Sequence, residues 1–100
     1  MQIEFQMSGG YANIRKTFTK NTDDLPLETR NELLDLIIKS GIMNLRQEDL
    51  KPFKSTPDVF NYKISLSDKS NKIILTLNDL LVSDRIRPMI ERLKELAVRS

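Results

Sequence analysis

Cysteine and histidine are both missing from this chain of 100 residues. Without cysteine there is no disulfide and no thiolate nucleophile, so the chain has no need of an oxidising compartment. Without histidine there is no imidazole base, no Ser-His-Asp triad and no zinc site built from nitrogen and sulfur ligands. Glycine is scarce as well, with 3 in all, and none lies in a phosphate-cradling loop of the P-loop or dinucleotide type. Only carboxylate or lysine chemistry remains open, which is a narrow base for catalysis. The chain therefore reads as a non-enzyme, with no catalytic residue, no metal site and no cofactor. Its start, Met1-Gln2-Ile3-Glu4-Phe5, lacks the basic stretch and apolar run of a secretory signal. No segment approaches the roughly 20 apolar residues that span a bilayer. A cytoplasmic protein with no membrane partner is the expectation.

Neither sign of charge dominates: the formal net charge is +2. Arg15, Lys16, Lys51, Lys54, Lys63, Lys72, Arg85, Arg87 and Arg92 are spread along the chain with acids between them. Nucleic-acid binders concentrate such charge in a stripe, so a solvated surface of mixed charge is the better reading and no nucleic-acid partner is expected. The length fits one domain over residues 1–100, able to bury about 65% of the surface its unfolded chain exposes.

What is present begins with a hairpin signal, Ser8-Gly9-Gly10-Tyr11-Ala12. Tight hairpin turns need positive φ, which glycine adopts at little steric cost. A two-residue turn at Gly9-Gly10 sets Phe5 opposite Ile14, Met7 opposite Ala12 and Glu4 opposite Arg15. One face then carries Ile3, Phe5, Met7, Ala12, Ile14 and Phe18, with Lys16 the one intruder, and Tyr11 falls on the polar face beside the turn. An exposed aromatic on a rigid turn is a candidate contact residue.

Further along, Asp24 is placed to cap a helix that has Pro26 in its first turn, an apolar stripe of Leu33, Leu34, Ile37 and Ile38, and Gly41 as its stop. The pattern lapses from Ile42 to Pro57, a long loop whose Leu45, Leu50 and Phe53 are expected to tuck under the fold. Phe60, Tyr62, Ile64 and Leu66 then alternate with Val59, Asn61, Lys63 and Ser65. After a turn at Ser67 to Asn71, Ile73, Leu75 and Leu77 take one face, with Lys72, Ile74, Thr76 and Asn78 on the other. Ile86, Met89, Ile90, Leu93, Leu96 and Ala97 form one face of a last helix. Pro88 either lets that helix begin near Arg87 or separates a short turn over Ser83 to Arg87. The order ββαββα predicts an α+β two-layer sandwich, a four-stranded, mostly antiparallel sheet with two helices on one face. Strand directions bring the Gly9-Gly10 turn, the Ile42–Pro57 loop and the Asn78–Ser83 loop to one end, where a binding surface is expected.

Three segments together resemble the emfourin family, proteinaceous inhibitors of protealysin and other thermolysin-type metalloproteases. They are Ser8-Gly9-Gly10-Tyr11-Ala12, Pro57-Asp58-Val59-Phe60-Asn61-Tyr62 and Ile86-Arg87-Pro88-Met89-Ile90. Their order and spacing, with Leu25-Pro26 before the first helix, resemble the family over nearly the whole chain. The chain departs from the family at Asn13, where glycine is frequent, and over residues 46–56, which match no family pattern.

The resemblance implies a thermolysin-type metalloprotease as partner, an inhibitor that is monomeric when free, and a contact surface of Ser8, Gly9, Gly10, Tyr11, Ala12, Asn13, Pro57 and Asp58. Such proteases hold their zinc at the bottom of an extended cleft with an apolar pocket beside it. A rigid loop placed there excludes substrate, and its prior order avoids the entropy a flexible peptide loses. Steric occlusion with Tyr11 as aromatic anchor is the favoured mechanism; ligation of the protease zinc by Asp58 or another carboxylate is the other. Read from the residues alone, Gly9 and Gly10 serve the turn, Asp58 serves the strand start, and Arg87 and Pro88 serve the helix start. The alternative function is a nucleic-acid-binding or adaptor α+β module, using the Arg15, Lys16, Lys63 and Lys72 side of the sheet or a free sheet edge.

Overall fold

A computed structural model describes residues 1–10, 14–50 and 59–99. Alternating apolar side chains produce the strands β1 (Gln2–Gly9), β2 (Ile14–Asn21), β3 (Phe60–Ser67) and β4 (Lys72–Asn78), and a short β5 (Val98–Arg99) closes the chain. The helices are α1 (Leu27–Ser40) and α2 (Arg87–Leu96). The strands form one sheet in the order β4-β3-β1-β2-β5, each neighbour antiparallel to the next. Ile3, Phe5 and Met7 from β1, Tyr62, Ile64 and Leu66 from β3, and Leu75 and Leu77 from β4 all point to one face. Leu33 and Ile37 of α1 and Met89, Ile90 and Leu93 of α2 cover that face, giving one continuous cluster of buried side chains. The opposite face exposes Glu4, Thr19, Lys63 and Thr76.

The α+β class and the two helices on one face agree with expectation, but among the described residues the sheet has five strands and not four. Ala97 leaves the helix in an extended conformation while its N–H still donates to Leu93 O, and Val98–Arg99 then pairs with Lys16–Thr17 of β2. An edge strand offers unpaired backbone groups, and these capture a tail too short to show any periodicity of its own.

The first hairpin is also registered differently. Phe5 faces Phe18, Met7 faces Lys16 and Glu4 faces Thr19, so β2 is displaced by four residues from a two-residue turn at Gly9-Gly10. A side chain's face follows the parity of its register. The even displacement therefore leaves Ile14 and Phe18 on the core side, as the alternation required. Lys16 is half-buried on that side at the β2–β5 edge, where an aliphatic stem can pack while the ammonium reaches water.

Two further expectations need correction in α1. Its N-cap is Pro26, with no side-chain hydrogen bond, while Asp24 ends a preceding 3-10 turn over Thr22–Asp24. Its buried line is Leu33, Ile37 and Ser40; Leu34 is half-buried and Ile38 is 75% exposed. The helix packs on α2 and buries the line of Leu33, Ile37 and Ser40, so side chains turned away from it, such as Ile38, stay wet. Gly41 does end the helix, at φ +68°, in the left-handed conformation that glycine favours. Ser40 then turns the chain: its hydroxyl donates to Ile37 O at 2.6 Å and accepts from Ile42 N at 3.1 Å. Pro88 satisfies both alternatives at α2, because Arg87 N and Ile86 N each donate to Ser83 O in a short turn ahead of the helix.

The described part of the long connection after α1, residues 42–50, contains 3-10 turns at Ile42–Asn44 and Gln47–Asp49. Ile42 is fully buried, and Met43, Leu45 and Leu50 pack on the core; Phe53 lies outside the described residues. Gln47 reaches the outer edge of β4, its amide nitrogen donating to Thr76 O at 3.0 Å and its amide oxygen accepting from Thr76 N at 2.7 Å. Among the described residues no helix is long and apolar enough to cross a membrane.

Candidate functional site

Register decides which segments share an end. Gly9 pairs with Phe60, and Asn61 pairs with Asn78. The tip of β1, the start of β3 and the exit of β4 therefore lie side by side across three adjacent strands. Gly41 belongs to the same end, because the Arg85 side chain lies against it and donates from Nε to Lys39 O at 3.0 Å. The Gly9-Gly10 turn, the Asn78–Ser83 loop and the start of the Ile42–Pro57 loop therefore meet as expected, while Gln47 further along the last of these reaches the side of β4 at Thr76.

Of the residues expected to contact a partner, Ser8, Gly9 and Gly10 stand at this end, half-buried. Tyr11, Ala12, Asn13, Pro57 and Asp58 lie outside the described residues. Gly9 and Gly10 have φ of +105° and +77°, so both use backbone conformations that other residues adopt only under strain. Space is a second requirement. A Cβ on Gly9 would stand 2.7 Å from Val59 O, and one on Gly10 would stand 2.9 Å from Cε1 of Phe60. The glycines thus let the hairpin backbone lie directly on the start of β3.

From Phe60 a set of contacts leads into the next loop. The Lys94 ammonium sits over two aromatic faces, 5.2 Å from the Phe60 ring centroid and 5.9 Å from that of Tyr62. It is also 3.6 Å from Glu91, which lies 3.9 Å from Arg87. Arg87 in turn donates through Nη2 to Val82 O at 3.2 Å and to Asp79 O at 3.4 Å. The Tyr62 hydroxyl donates to the Asp79 carboxylate, and the buried Asn78 accepts from Leu80 N at 3.0 Å. These bonds fasten the 3-10 turn Asp79–Leu81 to the sheet on one side and to α2 on the other.

Periodicity assigns Phe60 and Tyr62 to the core and Arg87 to the helix start, and it singles out none of Asp79, Leu80 and Lys94. Tyr62 is buried and stacks on Phe5, with ring centroids 5.9 Å apart; Phe60 is half-buried. The signal that points to this turn is Asn78-Asp79 directly after an alternating strand, since Asn and Asp at such a boundary bond to nearby backbone and turn the chain.

Burial, the hydrogen bond to Asp79 and the negative charges of Asp79 and Glu91 push the Tyr62 phenol well above its ordinary range. In the unfolded chain it ionises near pH ~10, whereas in the fold it stays neutral. Its stabilising contribution is therefore complete below about pH 10 and is lost as pH rises beyond that. Tyr62→Phe should cost about 1.5–3 kcal/mol at neutral pH, the range for a hydrogen bond to a charged acceptor. It should also lose less stability than the parent between about pH 8 and 11. Urea unfolding of both proteins at the two pH values checks this, and equal losses would contradict it.

Among the described residues no group of three or more carboxylates gathers where it could hold a metal ion. The open face of the sheet carries Arg15, Lys63 and Lys72 together with Glu4, but Lys16 belongs to the other face. The basic side invoked for a nucleic-acid module is therefore reduced to three cations dispersed over three strands.

The geometry describes a small scaffold with glycine-dependent and aromatic-supported loops at one end. The family model for emfourin matches residues 5–94, most of the chain. The chain belongs to the emfourin family, a family of inhibitors. No curated protein and no solved structure matches it.

Proposed function

We propose that this protein is a reversible, stoichiometric inhibitor of a thermolysin-type, protealysin-like zinc metalloprotease, and that it acts by occluding the cleft with the loops gathered at one end. The observation that carries this reading is convergence. Gly9-Gly10, Phe60 with Tyr62, and Arg87 with Pro88 are far apart in sequence and belong to the three segments that resemble the family, and they meet at one end. Structural duty alone needs no such meeting, because a turn, a core strand and a helix start can be satisfied at separate places. The segment Ser8 to Asn13 covers the cleft, Pro57 and Asp58 add contacts to the protease, and the free protein is a cytoplasmic monomer. Occlusion needs no metal held by the inhibitor itself.

Titration into a thermolysin-type protease assay tests the reading. Tyr11→Ala should weaken inhibition by about 2 kcal/mol or more, as an aromatic anchor does, while the melting curve stays unchanged. Lys72, paired with Ser67 at the far end of β4, provides the control, and Lys72→Ala should inhibit like the parent. If Tyr11→Ala inhibits equally well, the hairpin is scaffolding and the Ile42–Pro57 loop becomes the contact.

A further inference from the structure

We infer that Leu80 is a second anchor of this surface, an apolar knob that enters a side-chain pocket of the bound protease. The inference rests on the inhibitor reading above. Leu80 is 80% exposed, the most exposed large apolar side chain among the described residues. Its neighbours in the turn behave oppositely: Leu81 packs on the core and Val82 is buried.

Scattered exposed leucines are ordinary, and exposure alone says little. What distinguishes Leu80 is the number of bonds that fix the backbone beneath it. Its own N–H is held by Asn78, the preceding carboxylate by the Tyr62 hydroxyl, and the carbonyls on either side of it, at Asp79 and Val82, by Arg87. None of these bonds buries the leucine; together they hold the backbone that carries it. A loop backbone held in this way loses little further freedom on binding, which removes one of the costs of association.

Its position suits the same partner. β4 lies two strands from β1, and with a strand spacing of about 4.8 Å the Asn78 exit stands roughly 10 Å from the Gly9 tip. One partner surface spans both. The surroundings argue for a pocket and against a second copy of this chain. Ser83, Asp84 and Arg85 are exposed next to the turn, so the apolar patch is one side chain inside a polar rim, the arrangement of an interface anchor. A stable self-association needs about 800 Å² per partner, which one leucine with charged neighbours does not supply.

Leu80→Asp, Leu80→Ala and Leu80→Met are the test, titrated with the parent and Tyr11→Ala into thermolysin, with melting curves for each. Leu80→Asp should raise the inhibition constant by about 30-fold or more, the ratio that corresponds to an interface hot spot. Leu80→Ala should raise it less, and Leu80→Met, which keeps an apolar side chain of similar volume, should restore inhibition to near the parent value. All three should melt like the parent, since the side chain is already in water. If Leu80→Asp inhibits as well as the parent, the inference is overturned while the inhibitor reading stands. It is overturned equally if Leu80→Asp changes only the sedimentation behaviour of the free protein, because Leu80 then contacts another copy. A parent that leaves thermolysin untouched overturns both readings. Weakening by Leu80→Asp but not by Tyr11→Ala supports Leu80 and removes the hairpin's role as anchor.

Discussion

Replacing Phe5 by alanine should lower the unfolding free energy by about 3–5 kcal/mol, the usual cost of emptying a large aromatic site in a packed core. β1 is the middle strand of five, and Phe5 stands at its centre with Phe18 on one side and Ile64 on the other. Its ring stacks on Tyr62 and is almost fully buried. The space cannot close by local collapse, because its walls come from backbones held in register on both sides. For a chain of this size each kcal/mol is worth about 4–8 °C in Tm, so the variant should melt at least about 12 °C below the parent. Denaturant titration and calorimetry both report the change, and a loss below about 1 kcal/mol would contradict the packing described.

Gly9→Val should be comparably damaging, for a different reason. A positive φ held by a branched residue costs about 1–3 kcal/mol, and overpacking adds about 1–3 kcal/mol. The atom in the way, Val59 O, is backbone and cannot rotate aside. Gly10→Val meets the edge of the half-buried Phe60 ring instead, and a ring can yield. The expected order of stability is therefore parent, Gly10→Val, Gly9→Val, with the last about 2–6 kcal/mol below the parent. Thermal and urea unfolding of the pair decide the matter. A Gly9→Val protein as stable as the parent would mean that the hairpin does not lie against β3 as described. Both variants should also weaken inhibition, because each displaces the segment proposed to cover the cleft.

Local periodicity made much of this fold legible in advance. The buried faces of β1, β3 and α2 follow directly from spacing, and Gly41 marks the end of α1 because its left-handed backbone closes that helix sharply. What could not be read depends on partners distant in sequence. The hairpin register is fixed by β3 as well as by the turn, since β1 is held on both sides. Ile38 has the spacing of a core residue, but among the described residues nothing packs over that flank of α1. β5 exists because β2 has an open edge, which no property of Val98-Arg99 reveals. At the candidate site the glycines announced a turn, whereas Leu80 did not stand out. Its sequence context, Leu80-Leu81-Val82, resembles a buried run, and only the folded turn, with Leu81 and Val82 packed inward, shows which of the three residues faces outward.

The amide of Gln47 on the rim of β4 bears on how such a protein can be stored. An inhibitor acting one-to-one, as proposed above, must accumulate to the concentration of its target, and β4 carries the exposed Ile74 on an outer strand. Strands of that kind template pairing between copies. By occupying both backbone groups of Thr76, the glutamine side chain interrupts the row of free donors and acceptors near its middle. An incoming strand would have to displace two good hydrogen bonds before gaining its own. This single contact from the long loop therefore guards against fibrous self-assembly, and it does so on an edge two strands away from the hairpin tip.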